Sequence, residues 1–309
     1  MFDSQDPILG YHGIHRLTEK FQAGAVIDLL PVFLIPRKPT KKSTNRVDRS
    51  QIPLDQIPPD SWISEDADIN DRATLKQMMK WYQLLWDKTT GYNGPRAQLQ
   101  KSLRKLVHTA RISNIICIGL GNLNTSDQTK AGSILQHIVA SSIAQDLTHL
   151  YEAEGITLGN PIRIIAQDSA YTALDRQALS ELPVPIEVVT EPEGFLAINR
   201  SSLVFSSFPA APVKELIADL ATELPDGKGP AALILNNDRK YKYSGDVDVV
   251  KYSRNHPGRY PNVETKAYVK MLESYTRVLD GEQQFGIEFN FYAPGFEWLS
   301  GMDIWGRED

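Results

Sequence analysis

Short apolar segments alternate with helical patterns over the middle of the chain. The apolar segments cover 115–118, 162–168, 186–191, 202–207 and 231–238, and helical periodicity covers 134–153, 173–182 and 212–223. Continuous apolar runs of this length are typical of strands buried on both faces of a parallel sheet. Because strands and helices alternate, the pattern predicts right-handed βαβ crossovers. We therefore predict an α/β, Rossmann-like, doubly wound core over 112–240, with a mostly parallel five-stranded sheet in the order 3-2-1-4-5.

The regions on either side of this core have different patterns. Residues 1–111 show helical periodicity over 18–30, 70–88 and 96–109, and the proline-rich, charged segment 36–62 reads as an exposed linker. Residues 241–309 are rich in aromatic side chains, and 268–279 has the spacing of a helix. We predict an N-terminal helical extension over 1–111 and a C-terminal extension over 241–309 that packs on the core.

Composition excludes several classes of protein. The single cysteine, Cys117, forms no intramolecular disulfide, and no Cys/His cluster has zinc-ligand spacing. No apolar run approaches the length of a membrane span, and the start of the chain does not have the pattern of a signal peptide. We expect a cytoplasmic protein with no metal, no cofactor and no membrane contact.

Charge is distributed unevenly. The chain has a formal net charge of −5, but its first 111 residues carry 17 Lys and Arg against 12 Asp and Glu. On the predicted helix 96–109 and just past it, Lys101, Arg104, Lys105 and Arg111 fall near one face, and 96–111 contains no acid. This face is either an ordinary solvated surface or one that follows a phosphate backbone.

Polar residues follow each predicted strand. Ligands of open parallel sheets bind beyond the carboxyl ends of the strands, near the switch in strand order. A Gly-x-Gly turn follows the first strand, but the third glycine of a dinucleotide fingerprint is missing, so we interpret it as a tight turn beside a site. The predicted substrate-binding residues are Gly119, Gly121, Asn122, Asp168, Tyr171, Glu191, Glu193, Ser206, Asn236 and Asp238.

The same region supplies candidate catalytic groups. Its acids, including Asp175 and Glu181, suit a cationic ligand such as a guanidinium, although Asp175 also fits an ordinary helix-capping role. Ser207 is the best-placed nucleophile, and His137 is a candidate base or, equally, a packed histidine. No Gly-x-Ser-x-Gly elbow is present, which argues against an α/β-hydrolase.

Several blocks occur in a characteristic order: ICIGLGNL (116–123), Gln136-His137, AQDSAYTALDRQAL (166–179), TEPEGFLAIN (190–199), SSLVFSSFPAAPVKELIADL (201–220) and a last apolar strand with NND. From about 81 to 238 the chain thereby resembles the domain family called Sensitivity to Red Light Reduced, in its fungal form. It is also similar to the fungal branch of arginine-containing cyclodipeptide synthases, whose acidic Asp…Leu-x-Glu motif would correspond to Asp175, Leu179 and Glu181.

This resemblance implies a function. It implies a synthase that forms an arginine-containing diketopiperazine from arginyl-tRNA and a second aminoacyl-tRNA, without DNA, metal or cofactor. The catalytic residues would be Asp175, Glu181, Ser207 and His137, and the basic face would bind tRNA through Lys101, Arg104, Lys105 and Arg111. An acyl-enzyme and direct attack between two bound esters are both open. The alternatives are a non-enzymatic regulatory protein with a small-ligand pocket and a methyltransferase-like enzyme with a nucleoside cofactor at 119–122.

Overall fold

The described part of the chain is discontinuous. A computed structural model of the protein describes residues 72–91, 94–123, 130–209, 211–224, 227–237, 262, 264–285 and 296–309. The predicted helix over 18–30, the proline-rich segment 36–62 and Asp238 lie outside the described residues.

A single sheet organises these residues. Its strands are β1 (Asn114–Ile118), β2 (Arg163–Gln167), β3 (Ile186–Val189), β4 (Ser202–Ser206), β5 (Ala232–Asn236), β6 (Tyr275–Asp280) and β7 (Met302–Arg307). They are arranged in the order β3-β2-β1-β4-β5-β7-β6. Strands β1 to β5 pair with one another in parallel, whereas β7 is antiparallel to both β5 and β6.

The predicted number of strands is therefore wrong. The sheet has seven strands, and its order differs from the predicted one because β7 and β6 extend it beyond β5. The predicted helix over 268–279 is confirmed only to Leu272, where the helix ends, and it is wrong beyond that because β6 begins at Tyr275. The apolar residues Tyr268, Met271, Tyr275 and Val278 are spaced by three or four positions across this boundary, so a helix followed by a strand reproduces the spacing of one longer helix.

Helices cover both faces of the sheet. They are α1 (Arg72–Asp87), α2 (Pro95–Leu106), α3 (Lys130–Ala153), α4 (Ala173–Ser180), α5 (Glu193–Leu196), α6 (Val213–Glu223), α7 (Lys266–Leu272) and α8 (Gly281–Phe285), with 3₁₀ turns at Lys88–Thr90 and Glu297–Gly301. Each face of the sheet has its own hydrophobic cluster, and successive residues of β1 point alternately into one and the other. Ile115 and Cys117 pack with α1 to α4, and Ile116 and Ile118 pack with α5 to α7. Burial on both faces explains the continuous apolar runs of the strands.

Helices α1 and α2 precede the first strand and pack against α3, on the same side of the sheet. The buried side of α1 consists of Leu75, Met78, Met79, Tyr82, Leu85 and Trp86. Helix α2 starts with a proline at its first position, where the missing N–H costs nothing, and buries Leu99, Leu103 and Leu106. The residues of α2 that were predicted to bind tRNA, Lys101, Arg104 and Lys105, remain exposed.

Candidate functional site at the carboxyl edge of the sheet

The switch in strand order lies between β1 and β4. Strand β1 pairs with β2 on one side, up to Ile118 opposite Gln167, and with β4 on the other, up to Cys117 opposite Phe205. If both pairings are continued by one or two residues past the strand ends, Gly119 lies opposite Asp168 on the β2 side and opposite Ser207 on the β4 side. This edge is where open α/β sheets bind ligands.

A glycine turn shapes the end of β1. Gly119 and Gly121 both have positive φ, +67° and +79°, a conformation that favours glycine. The N–H of Gly121 donates to Asp168 Oδ2 at 2.8 Å, and the N–H of Ala170 donates to Oδ1 at 2.8 Å. A Cβ at Gly119 would lie 3.0 Å from the Cβ of Pro209. Asp168 thus braces the turn, while Gly119 allows the segment after β4 to approach.

Asp175 holds the same turn from the opposite side. Its Oδ1 accepts the N–H of Leu123 at 3.0 Å, and its Oδ2 accepts the N–H and the hydroxyl of Thr172 at 2.7 and 2.8 Å. With Thr172 it forms a capping box at the start of α4, and it is fully buried. The capping interpretation of Asp175 is therefore observed, and its contacts connect α4 to the turn after β1.

Glu181 does not join Asp175. It follows the last residue of α4, six residues further on, which corresponds to about 9 Å along a helix axis. Its carboxylate contacts Arg72 and accepts a hydrogen bond from Lys76 Nζ at 2.7 Å, both from α1. These two hydrogen bonds, first that of Lys76, lower the pKa of Glu181. The structure thus places Glu181 in an exposed contact between α1 and α4, outside the carboxyl-edge site.

His137 is buried on α3 and contacts Tyr171. Its Nδ1 lies 2.7 Å from the carbonyl oxygen of Ser133, and its Nε2 lies 2.6 Å from the hydroxyl of Tyr171. Burial lowers the pKa of His137 to about 4, so the ring is neutral near pH 7. Because a carbonyl only accepts, Nδ1 carries the proton and Nε2 accepts from Tyr171. Both ring nitrogens are engaged, and His137 therefore positions Tyr171.

The two serines after β4 differ in their contacts. Ser206 Oγ donates to the carbonyl oxygen of Ile118 at 2.7 Å, which joins the ends of β4 and β1. Ser207 Oγ is buried and has no hydrogen-bond partner among the described residues. The side-chain oxygens of Asn122 and Gln136 likewise have no hydrogen-bond partner among the described residues. A buried hydroxyl without a partner is costly, so Ser207 Oγ is a candidate for a hydrogen bond to a ligand.

A pair of carboxylates lies on the β2 side of the edge. Partial burial, and then the charge of Asp168, raise the pKa of Glu191, so these two acids are close enough to interact. Glu193 acts locally instead: its Oε2 accepts the N–H of Thr190 at 2.8 Å at the start of α5. Gln167, which the sequence did not single out, accepts the N–H of Gly194 at 2.7 Å and holds α5 against β2.

Asn236 belongs to a separate polar cluster. Its Oδ1 accepts a hydrogen bond from Asn262 Nδ2 at 2.8 Å, and Asn262 Oδ1 accepts the N–H of Lys214 at 2.8 Å. The side chain of Lys214 is almost fully buried, with Nζ 3.7 Å from Glu264 Oε1. The described contacts of Asn236 thus connect β5 to α6.

Arg111, one of the four basic residues predicted to bind tRNA, lies away from the carboxyl edge. Arg111 comes three residues before β1, so it lies at the amino edge of the sheet, opposite to Ser207. Its guanidinium donates to the carbonyl of Thr157, and it lines a groove of about 430 Å³ together with Asn114 and Arg163. Arg111 is therefore separated from the carboxyl-edge site by the length of the strands.

Within the described residues, no group of three or more His, Cys, Asp and Glu side chains is arranged to hold a metal ion. Among the helices described above, none is both long enough and apolar enough to cross a membrane.

Comparison with known proteins identifies the family. The sequence model of the SRR1 domain matches residues 98–292. The chain therefore belongs to the SRR1 domain family. Human N-acetylserotonin methyltransferase in complex with SAM is a structural neighbour with 14% identity and a TM-score of 0.30. That match covers 79% of this chain, which spans 58% of the methyltransferase chain. No curated protein matches the sequence significantly.

Proposed function

We propose that this SRR1-domain protein is a tRNA-dependent cyclodipeptide synthase. It would form an arginine-containing diketopiperazine from arginyl-tRNA and a second aminoacyl-tRNA. The resemblance of its sequence blocks to the fungal synthase branch supports this choice within the family. The observation that carries the proposal is Ser207 Oγ, a buried hydroxyl without a described partner at the switch in strand order.

Ser207 would act as the acceptor of the arginyl group. Its Oγ attacks the ester carbonyl of arginyl-tRNA, and the proton of Ser207 passes to the departing ribose oxygen as that bond breaks. We assign this proton to the ribose oxygen and not to His137, because both ring nitrogens of His137 already have partners. An arginyl ester on Ser207 and a free tRNA result.

Two aminolysis steps would complete the ring. The α-amine of the second aminoacyl-tRNA attacks the arginyl ester, which forms the first amide bond and returns a proton to Ser207. The α-amine of the arginyl residue then attacks the remaining ester, closes the ring and releases the second tRNA. Two ester bonds are exchanged for two amide bonds, so the reaction requires neither ATP nor an oxidant.

The acidic side of the edge would bind the arginyl side chain. Asp168 and Ser207 lie on opposite sides of β1, so their Cα atoms are separated by two strand spacings, about 10 Å. An arginyl group whose carbonyl is at Ser207 can extend across this gap toward Asp168 and Glu191. A guanidinium offers several N–H donors to such carboxylates. Asp175, by contrast, would act by holding the turn that this group crosses.

Reconstitution tests the proposal. Purified protein is incubated with arginyl-tRNA and a mixture of other aminoacyl-tRNAs, and the products are analysed by mass spectrometry. We expect a cyclic dipeptide that contains arginine, and we expect none when free arginine and uncharged tRNA replace the charged tRNAs. The absence of any cyclic dipeptide with all aminoacyl-tRNAs present would contradict the proposal and favour a regulatory protein.

A further inference from the structure

Phe208 is an exposed aromatic residue beside the candidate nucleophile. It directly follows Ser207, and 56% of its surface is exposed. It also has a φ of +51°, and it is the one described non-glycine residue with a positive φ. This conformation is unfavourable for a bulky side chain, and strain of this kind is concentrated at functional sites.

The backbone on both sides of Phe208 is fixed. Ser206 Oγ donates to the carbonyl of Ile118 at 2.7 Å, and Pro209 is buried against Gly119. The positive φ of Phe208 thus lies between two anchored residues, Ser206 and Pro209. It turns the aromatic ring outward at the point where β4 ends.

Gly301 provides the seat of the ring. A Cβ at Gly301 would lie 2.5 Å from Phe208 Cζ, and 3.4 and 3.5 Å from its Cε2 and Cε1. The tip of the ring therefore points at Gly301, and a side chain there would displace it. Since Gly301 precedes β7, Phe208 lies on the β5 and β7 side of Ser207, away from Asp168.

We propose that Phe208 is a stacking platform for the terminal adenine base of the bound aminoacyl-tRNA. The proposal rests on the proposed function, because it requires an aminoacyl ester whose carbonyl lies at Ser207. The arginyl side chain extends from this carbonyl toward the carboxylates beyond β1, and the ribose and its adenine extend in the opposite direction, toward Phe208. Proteins commonly bind unpaired bases by stacking them on aromatic rings.

A binding experiment separates the base from the amino acid. The probes are the non-hydrolysable amide analogue of arginyl-adenosine and arginine methyl ester, and their affinities are measured by calorimetry. In the Phe208→Leu variant, the loss of stacking should raise the Kd of the adenosine probe at least about fivefold. The Kd of arginine methyl ester should not change. As a matched control, Val269→Ala truncates an exposed apolar side chain on α7 and should change neither affinity.

A second substitution acts on the ring through its seat. Gly301→Ala should weaken binding of the adenosine probe in the wild-type background, because the new Cβ displaces the ring. In the Phe208→Leu background it should have little further effect. Phe208→Gly removes the ring at a position where glycine adopts the positive φ freely, and it should weaken binding of the adenosine probe as Phe208→Leu does.

The outcomes distinguish this proposal from the proposed function. Unchanged affinity of Phe208→Leu for the adenosine probe, or no binding of that probe by the wild type, would overturn the platform. If the wild type forms a cyclic dipeptide while Phe208→Leu binds the adenosine probe normally, the platform is wrong and the synthase activity stands. If Phe208→Leu loses affinity for the probe but no cyclic dipeptide forms, the platform stands and the synthase activity is wrong.

Discussion

The adjacent serines after β4 provide a matched pair of substitutions. Ser206→Ala removes a hydroxyl that donates to the Ile118 carbonyl at 2.7 Å. Ser207→Ala removes an equally small group that has no partner among the described residues. Both side chains are buried, so differences in exposure do not confuse the comparison. Ser206→Ala should therefore destabilise the protein, whereas Ser207→Ala should not.

The magnitudes follow from the hydrogen bonds. A typical buried hydrogen bond contributes about 1 kcal/mol net, and a buried polar group without a partner costs about 1–3 kcal/mol. Ser206→Ala should lower the free energy of unfolding by about 1 kcal/mol or more, because the Ile118 carbonyl loses its donor. Ser207→Ala should leave that free energy unchanged or raise it by about 1 kcal/mol.

Denaturant titration measures the difference. Urea unfolding of the ligand-free proteins should show a lower midpoint for Ser206→Ala and an equal or higher midpoint for Ser207→Ala, with similar slopes. Equal destabilisation by both substitutions would refute the reasoning. In that case Ser207 Oγ has a structural partner, and it is not the available hydroxyl on which the proposed mechanism depends.

Three further predictions concern pH and salt. Burial keeps His137 neutral, so its contribution to the free energy of unfolding should be fully present above pH 6.5 and should fall by about 3 kcal/mol as the pH decreases to about 4. Unfolding at several pH values measures this decrease, and a flat profile would contradict it. Changing Lys101, Arg104 and Lys105 to Glu should weaken binding of charged and uncharged tRNA about equally. The logarithm of the wild-type binding constant should fall with the logarithm of the salt concentration, with a slope of roughly −0.7 to −0.9 per phosphate contact. Salt-independent binding would exclude this surface as the tRNA-binding face. The pKa of Glu191 is raised, so affinity for arginine methyl ester should increase as pH rises through that pKa, and Glu191→Gln should abolish the increase; an unchanged profile in the variant would exclude Glu191 from the guanidinium site.

Much of the fold could be predicted from hydrophobic patterns. Strands β1 to β5 are covered on both faces, so their apolar runs stand out from the helices between them. Strands β6 and β7 were missed for physical reasons. The apolar spacing of β6 continues that of α7, and β7 contains Asp303, Gly306 and Arg307, whose burial depends on partners elsewhere in the chain.

The site could be predicted less fully. Polar strand ends indicate the carboxyl edge as the candidate site, but sequence proximity does not reveal which groups meet there. Asp175 and Glu181 belong to one short motif, and yet helical rise directs one to the turn after β1 and the other to α1. The roles of Ser206, Ser207 and Phe208 depend on side-chain direction and a positive φ, which no residue pattern reports.

Labelled arginyl-tRNA tests directly whether Ser207 receives an aminoacyl group from tRNA. Purified protein is mixed with tRNA that carries labelled arginine, without a second aminoacyl-tRNA, then quenched in acid and analysed as intact protein and as peptides. We expect one arginyl group per protein on the peptide that contains Ser207, and no label on the Ser207→Ala variant. If the label remains entirely on tRNA, or if Ser207→Ala is labelled as efficiently as the wild type, Ser207 is not the acceptor of the arginyl group.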